Sequence, residues 1–413
     1  MFDGAKHMRL SVPGKKLMDN NPRLTFRGSH SIITAEDLTG HFCYAYYKGW
    51  TFTAYRDSGD WDRVQASGSY HKFFNKGIHN HNDFSLPDVI KALDNFGTEI
   101  GVNPLQEVLQ NLEFGVNVTL PFEVTTVLKS LLTYRGVAFQ RPIENAHYYQ
   151  CRTKEFIIKC YDKGREYNLA ENILRFEIKV VSMRFFKDKG VNIRNLSDLL
   201  NVENYPKLGK ILNEYFEAIL FRDLELDISR LCPKDKELMI KGQNKDYWVR
   251  PESTSISYEA ARKRQHREEK KFRMFNIPAW HTLLREAISA KWEDLTNLTD
   301  EIMSHIQQSR DRWRSGIAIS DMSQIQYGHF RSECITIVDD LSRSQQNCVL
   351  HECADPDDEM SHIQTLYVGR FRDNLSLGTT ERRRVGSKKT NHLKDTFWLV
   401  NNLNRRSRKH RQC

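Results

Sequence analysis

The chain has 413 residues, 39% hydrophobic and 28% charged, with a formal net charge of +9. That length leaves room for two or three domains and that apolar share suffices for real cores, so a disordered chain is excluded. The positive balance implies a polyanionic partner, nucleic acid or an acidic surface. No apolar run approaches the roughly 20 residues that span a bilayer, and the start at Met1 has no apolar signal-peptide region. A soluble, cytoplasmic protein with no membrane partner is expected.

In chain order, residues 42–55 (FCYAYYKGWTFTAY) are rich in aromatics and broken at Lys48 and Gly49, which predicts a hairpin. Residues 68–75 (GSYHKFFN) read as a further strand, and residues 76–84 (KGIHNHNDF) as a polar loop. From Ser85 to Phe96 the apolar residues Val89, Ile90, Leu93 and Phe96 recur at helical spacing, with Ser85 as N-cap and Asp88 in the first turn. These elements, with the strands that follow, define an α+β domain over residues 1–195. Its N-terminal antiparallel sheet would have helices packed on one face and the other face open to a ligand.

Two of those strands carry the most chemistry. In residues 111–121 (NLEFGVNVTLP), Leu112, Phe114, Val116 and Val118 share one face while Glu113, Gly115 and Asn117 take the other. In residues 173–180 (ILRFEIKV), Leu174, Phe176, Ile178 and Val180 bury, leaving Arg175, Glu177 and Lys179 outward. Residues 155–164 (EFIIKCYDKG) read as a short strand ending in a turn at Asp162–Gly164, with Lys159 and Tyr161 on one face. If these three strands are neighbours, one surface holds Glu113, Lys159, Tyr161, Arg175 and Glu177. That set offers a nucleophile, cations for a phosphate and two carboxylates for a hard divalent ion. Ordinary half-solvated sheet has the same alternation without any ligand.

From residue 196 to 315 the character is helical: a helix at 207–220, a highly charged helix at 257–275, and a helical pair at 278–310. Trp280, Leu283, Leu284, Ile288, Trp292 and Leu295 are the expected core stripe of that pair. The charged helix presents Lys263, Arg264, Arg267, Lys270 and Lys271 as candidate phosphate contacts, against the plainer reading of a solvated face. Residues 316–381 are irregular. Their CVLHEC run places Cys348 and Cys353 around His351, with His362 downstream, but no second cysteine pair closes a tetrahedral zinc site. Residues 382–413 form a basic tail with Arg382, Arg383, Arg384, Lys388, Lys389, Arg405, Arg406, Arg408, Lys409 and Arg411, suited to nucleic-acid backbone. No internal repeat, Walker loop or dinucleotide fingerprint is present.

The start MFD together with the runs SYHKFFN, HNHNDF, NLEFGVN, KCYDKG and LRFEIK resembles phage and plasmid replication initiation proteins, rolling-circle initiators of bacterial mobile elements including those of Bacteroidetes. The resemblance covers about the first 200 residues, and NKDYW at 244–248 extends it less specifically. It implies a site-specific nick in origin DNA, single-stranded or supercoiled, by a tyrosine that becomes 5′-phosphotyrosyl and frees a 3′-hydroxyl primer. It further implies a divalent metal (Mg or Mn) and a host replication helicase as partner. Glu113 and Glu177 would hold the metal, with Lys159, Lys163 and Arg175 around the phosphate.

The nucleophile stays open: strand parity favours Tyr161, while the position of the reactive tyrosine in related plasmid initiators favours Tyr148 or Tyr149. His79 and His81 have metal-ligand spacing in a turn-rich context, with Asp83 and His71 in support; His71 and Lys72 are also candidate DNA contacts. A non-catalytic origin or operator binder is the alternative of a different class. An RNA-binding or membrane-surface accessory role is the third, allowed by charge alone.

Overall fold

Runs rich in apolar residues, all but the last within the first 180 positions, are realised as strands. In chain order they are β1 (Phe2–His7), β2 (Arg27–Ile33), β3 (Thr39–Tyr47), β4 (Trp50–Arg56), β5 (Trp61–Ser69), β6 (Asn111–Thr119), β7 (Leu131–Tyr134), β8 (Val137–Ala138), β9 (Tyr148–Arg152), β10 (Phe156–Asp162), β11 (Ile173–Val180) and β12 (Ile219–Phe221). This computed structural model describes residues 1–315 apart from 8, 34–38, 57–58, 143–146 and 250–257. The described residues all belong to one unit, Met1–Arg331, while a second, Ser332–Cys413, lies wholly outside them. Outside them too lie the Cys348/Cys353 pair and the basic tail.

Nine strands make one sheet in the order β2-β3-β4-β5-β1-β6-β11-β10-β9, and every neighbouring pair is antiparallel. A three-stranded sheet, β12-β7-β8, sits beside it. The helices are α1 (Gly14–Asn20), α2 (Tyr70–Phe74), α3 (Leu86–Ile100), α4 (Val124–Ser130), α5 (Lys163–Glu166), α6 (Arg184–Asp188), α7 (Tyr205–Glu217), α8 (Pro233–Gly242), α9 (Tyr258–Phe275), α10 (His281–Leu295) and α11 (Asp300–Ser315). The fold is α+β. No helix among the described residues is long and apolar enough to cross a membrane.

The long helices cover one face of the large sheet. Phe96 of α3 meets Trp50 at 4.7 Å between ring centroids, Phe216 of α7 meets Phe176 at 5.6 Å, and Trp292 of α10 meets Phe114 at 6.2 Å. α11 is tied to α3 through Asp94, which accepts from Ser309 at 2.8 Å and from the Trp313 indole at 3.0 Å. The change of character near residue 195 therefore divides sequence patterns and not packing, because α7 and α10 complete the core that the strands begin. A smaller core of Leu132, Leu220, Met239, Trp248 and Phe272 holds the three-stranded sheet to α8 and α9.

The hairpin at Lys48–Gly49 is present: Tyr47 pairs with Trp50, and both turn residues have positive φ, 46° and 79°. α3 begins at Ser85 with a reciprocal capping box to Asp88. Residues 70–75 are not a strand. The Ser69 hydroxyl accepts the Lys72 amide at 2.9 Å and starts α2, whose Tyr70 and Phe73 pack on Phe96 at a spacing of three. Leu283 is 46% exposed and falls outside the expected stripe, whereas Leu284, Ile288, Trp292 and Leu295 are buried.

Candidate active site on the open sheet face

β6, β11 and β10 are consecutive neighbours, and their register brings the polar residues into ranks. Lys179 lies opposite Glu113, Glu177 opposite Gly115 and Arg175 opposite Asn117; across the next pair, Lys159 faces Glu177 and Tyr161 faces Arg175. On β9, Tyr148 lies opposite Tyr161. The side chains thus collect on the face that α3, α7 and α10 leave uncovered. Glycine is required at one point of this surface and closely approached at a second. A Cβ on Gly115 would stand 2.2 Å from the Phe176 carbonyl, and one on Gly4 would stand 2.7 Å from the Glu113 carboxyl carbon.

The carboxylates share one lysine. Lys159 Nζ donates to Glu177 Oε1 at 2.8 Å and pairs with Glu113 Oε2 at 3.0 Å. Glu113 Oε1 pairs with Lys179 at 2.6 Å, and Glu177 Oε2 accepts from Arg175 Nε at 2.9 Å. Arg175 continues inward, donating to Asn117 at 3.3 Å and facing Asp3 at 3.6 Å. Asp3 accepts from Ser69 and, at 2.7 Å, from Asn80, whose own oxygen accepts the Tyr167 hydroxyl at 2.7 Å. Burial works against the charge on Glu177, but Lys159 and Arg175 outweigh it and hold the carboxyl well below its usual range. Burial likewise opposes the Lys159 charge, and Glu177 and Glu113 more than offset it.

Beside this network opens a cavity of about 720 Å³ lined by Tyr161, Lys159, Lys163, Glu113, Lys72 and Tyr148, among others. Asp162 caps α5 by accepting the Arg165 amide at 2.9 Å, which fixes Lys163 at the helix start. Gly164 serves close approach there and not a positive φ, since a Cβ would lie 2.2 Å from the Glu171 carbonyl. Lys163 Nζ pairs with Glu166 at 2.9 Å and lies 5.1 Å from the Tyr161 ring centre and 5.0 Å from that of Tyr167. Burial lowers the Lys163 pKa despite Glu166 and Asp3, which act to raise it.

The three candidate tyrosines separate by face and by hydroxyl partner. Tyr149 points to the helix side, packed against the core. Tyr148 donates to Gln150 at 2.8 Å, and burial pushes its pKa up to about 12. Tyr161 lines the cavity with no hydrogen bond from its hydroxyl among the described residues; burial and then Glu177 raise its pKa well above the ordinary value.

Neither expected metal set fits a divalent ion as arranged. Both oxygens of Glu113 and both of Glu177 are engaged by nitrogen, and Lys159 Nζ stands between the carboxylates where a shared ion would need to be. The His79 and His81 rings do approach, with centroids 4.1 Å apart. Asp83, however, pairs with Lys291 at 3.0 Å. Among the described residues no group of three His, Cys, Asp or Glu side chains could hold a metal. His71, expected at a DNA surface, is 1% exposed, stacks on Phe84 at 4.6 Å and bonds Asn82 at 2.8 Å. Burial, then the Met1 amino group, pull its pKa down to about 2.

On α9 the cations divide. Arg264 pairs with Glu268 at 3.8 Å and Lys271 pairs with Asp235, while Lys270 is exposed. Lys263 and Arg267 line a separate cavity of about 1200 Å³ with Arg135, Arg262 and His266. Asp3, Ser69, Asn80 and Tyr167 belong to the site network without having been signalled by sequence periodicity. The MFD, SYHKFFN and HNHNDF runs hold Asp3, Ser69 and Asn80, and at the first of them the pairing of β1 with β6 slips between Phe2 and Ala5.

No protein-family model matches the chain, and no curated protein matches it. Among solved structures, the rolling circle replication initiator protein from Geobacillus stearothermophilus is similar over 56% of this chain and 89% of that one, at 12% identity and a TM-score of 0.30.

Proposed function

We propose that this chain is a replication initiator that binds an origin and nicks one DNA strand, with Tyr161 as nucleophile. The carrying observation is the Tyr161 hydroxyl, without a hydrogen bond among the described residues, in a cavity that also presents Lys163 and Lys72. The two lysines hold the scissile phosphate. Tyr161 Oη attacks phosphorus, the phosphorus–O3′ bond breaks, and the protein carries the 5′-phosphate as a tyrosyl ester while the 3′-hydroxyl leaves. Because burial and Glu177 disfavour a free Tyr161 phenolate, its proton departs as attack proceeds. Solvent takes that proton and returns one to the departing oxygen, while Lys163, paired with Glu166 at 2.9 Å, stays with Lys72 on the phosphate. The Glu113–Lys159–Glu177–Arg175 network positions Tyr161 from the neighbouring strands. No step runs through a divalent ion.

The test is cleavage of supercoiled DNA from the element that encodes the chain, with Mg, with Mn and with chelator, read on a denaturing gel for a covalent protein–DNA adduct. An adduct lost in Tyr161→Phe but kept in Tyr148→Phe and Tyr149→Phe is expected. Loss in Tyr148→Phe alone would move the nucleophile to β9. Tight binding with no adduct under any condition would establish the non-catalytic origin binder.

A further inference from the structure

The open sheet face does not end at the tyrosine cavity. Across β1 and β5 it continues onto β4 and β3, where the outward positions are aromatic. Phe42, Tyr44 and Tyr46 alternate along β3, and Tyr55 of β4 pairs directly with Phe42. Tyr46 is 57% exposed. The Tyr44 and Tyr46 rings lie 5.4 Å apart, and those of Phe42 and Tyr55 lie 6.2 Å apart. Arg63 of β5 sets its guanidinium over the Tyr55 ring at 4.2 Å. The same strands bury Cys43, Ala45, Trp50, Phe52 and Ala54 on the opposite face, so the row lies on the side away from the core.

Between the row and the cavity the same face carries a lysine. Register runs from Tyr46 through Thr51 and Ser67 to Lys6. Lys6 has no carboxylate partner among the described residues, and two strands further on Lys179 pairs with Glu113 at 2.6 Å.

We infer that the outer face of β3, β4 and β5, with Tyr44, Tyr46, Tyr55 and Arg63, is a stacking platform for single-stranded DNA that continues over Lys6 and Lys179 to the Tyr161 cavity. Aromatic rings offer every base a π face, and interleaved cations follow the phosphates. From β3 to β10 is six strand spacings, roughly 29 Å, a span of about eight nucleotides at the stacked rise of about 3.4 Å. The platform would hold strand separated from the duplex while its neighbouring phosphate lies at Tyr161. The choice of DNA over RNA rests on the proposed function; the stacking itself does not.

The experiment measures binding of the full chain to a fluorescent 20-nucleotide oligo(dT) across a salt series. Tyr46→Ala is expected to weaken binding roughly tenfold with an unchanged salt slope, Tyr46→Phe to bind like wild type, and Lys6→Gln to reduce the slope by about 0.7. Wild-type binding by Tyr46→Ala together with Tyr55→Ala would overturn the platform, as would equal competition by a duplex of the same length. Tighter binding of oligo(rU) would assign the surface to RNA. If oligo(dT) binding behaves as expected while no tyrosyl adduct forms, the platform stands and the nicking chemistry falls.

Discussion

At the scale of single residues, the site depends on a lysine that serves two carboxylates. Removing one member of a buried ion network leaves the others charged without partners, which costs about 3–5 kcal/mol. Lys159→Met is therefore expected to lower the urea midpoint strongly, and Glu177→Gln added to it should recover part of the loss. Equal stability of the single and double variants would show that the two groups are not coupled. A separate buried histidine contributes to the acid limit. His7 is fully buried between Tyr70 at 2.7 Å and the Val108 carbonyl at 3.1 Å, and burial pulls its pKa from 6.5 to about 4. The unfolded chain thus binds more protons in that interval, so this contribution is complete above pH 6.5 and is lost as pH falls toward 4, by about 3 kcal/mol. Urea unfolding from pH 7 to pH 4 should show the fall, and a His7→Gln variant should show a shallower one. Strand parity made Glu113, Lys159, Tyr161, Arg175 and Glu177 legible as one surface, and the register confirms it. Parity could not reveal that Lys159 would occupy the space between the glutamates, because ion-pair choice depends on side-chain reach across strands. Nor could it place Asp3, which sits where the β1 pairing slips.

Among the elements, the reading succeeded where one local signal governed and failed where two competed. The Lys48–Gly49 hairpin and the Ser85 capping box are local, and both are present. Residues 68–75 have β-like aromatics, but Ser69 both caps α2 and donates to Asp3, so the strand stops there. Ser69→Ala should cost about 0.5–2 kcal/mol through the lost cap, and it should also reduce adduct formation by freeing Asp3 beside Arg175. A variant with the lower thermal midpoint but full cleavage would confine Ser69 to a structural role. Gly115 is the stricter case, because its Cβ would overlap strand backbone and not a flexible side-chain end. Gly115→Ala is expected to shift β6 against β11 and to lower stability and cleavage together. Wild-type behaviour in both assays would mean that the strand pair yields more easily than a close-packed sheet should.

Over the whole molecule, charge and chemistry occupy different parts of the chain. Residues 382–413 contain 11 lysines and arginines and one acid, so without them the formal charge falls from +9 to −1. The open sheet face keeps its cations, but most of those near Tyr161 are matched to carboxylates: Lys159 to Glu113 and Glu177, Lys163 to Glu166, and Arg175 to Glu177. Matched cations release few counterions when DNA arrives, whereas an uncompensated basic segment releases about 0.9 per phosphate it contacts on a duplex. The long-range attraction and the salt sensitivity of binding should therefore reside in the last 32 residues, and the selection of a phosphate for attack in the sheet. Deleting residues 382–413 is expected to flatten the plot of log affinity against log salt by several units and to weaken binding most at low salt. Cleavage at saturating protein and low salt should persist, because the tyrosine and its lysines are untouched. Titration of supercoiled DNA at four or five salt concentrations, with full and shortened chains, measures both quantities. An unchanged slope would place the phosphate contacts on the folded part, with Lys263 and Arg267 of α9 as the next cations to remove.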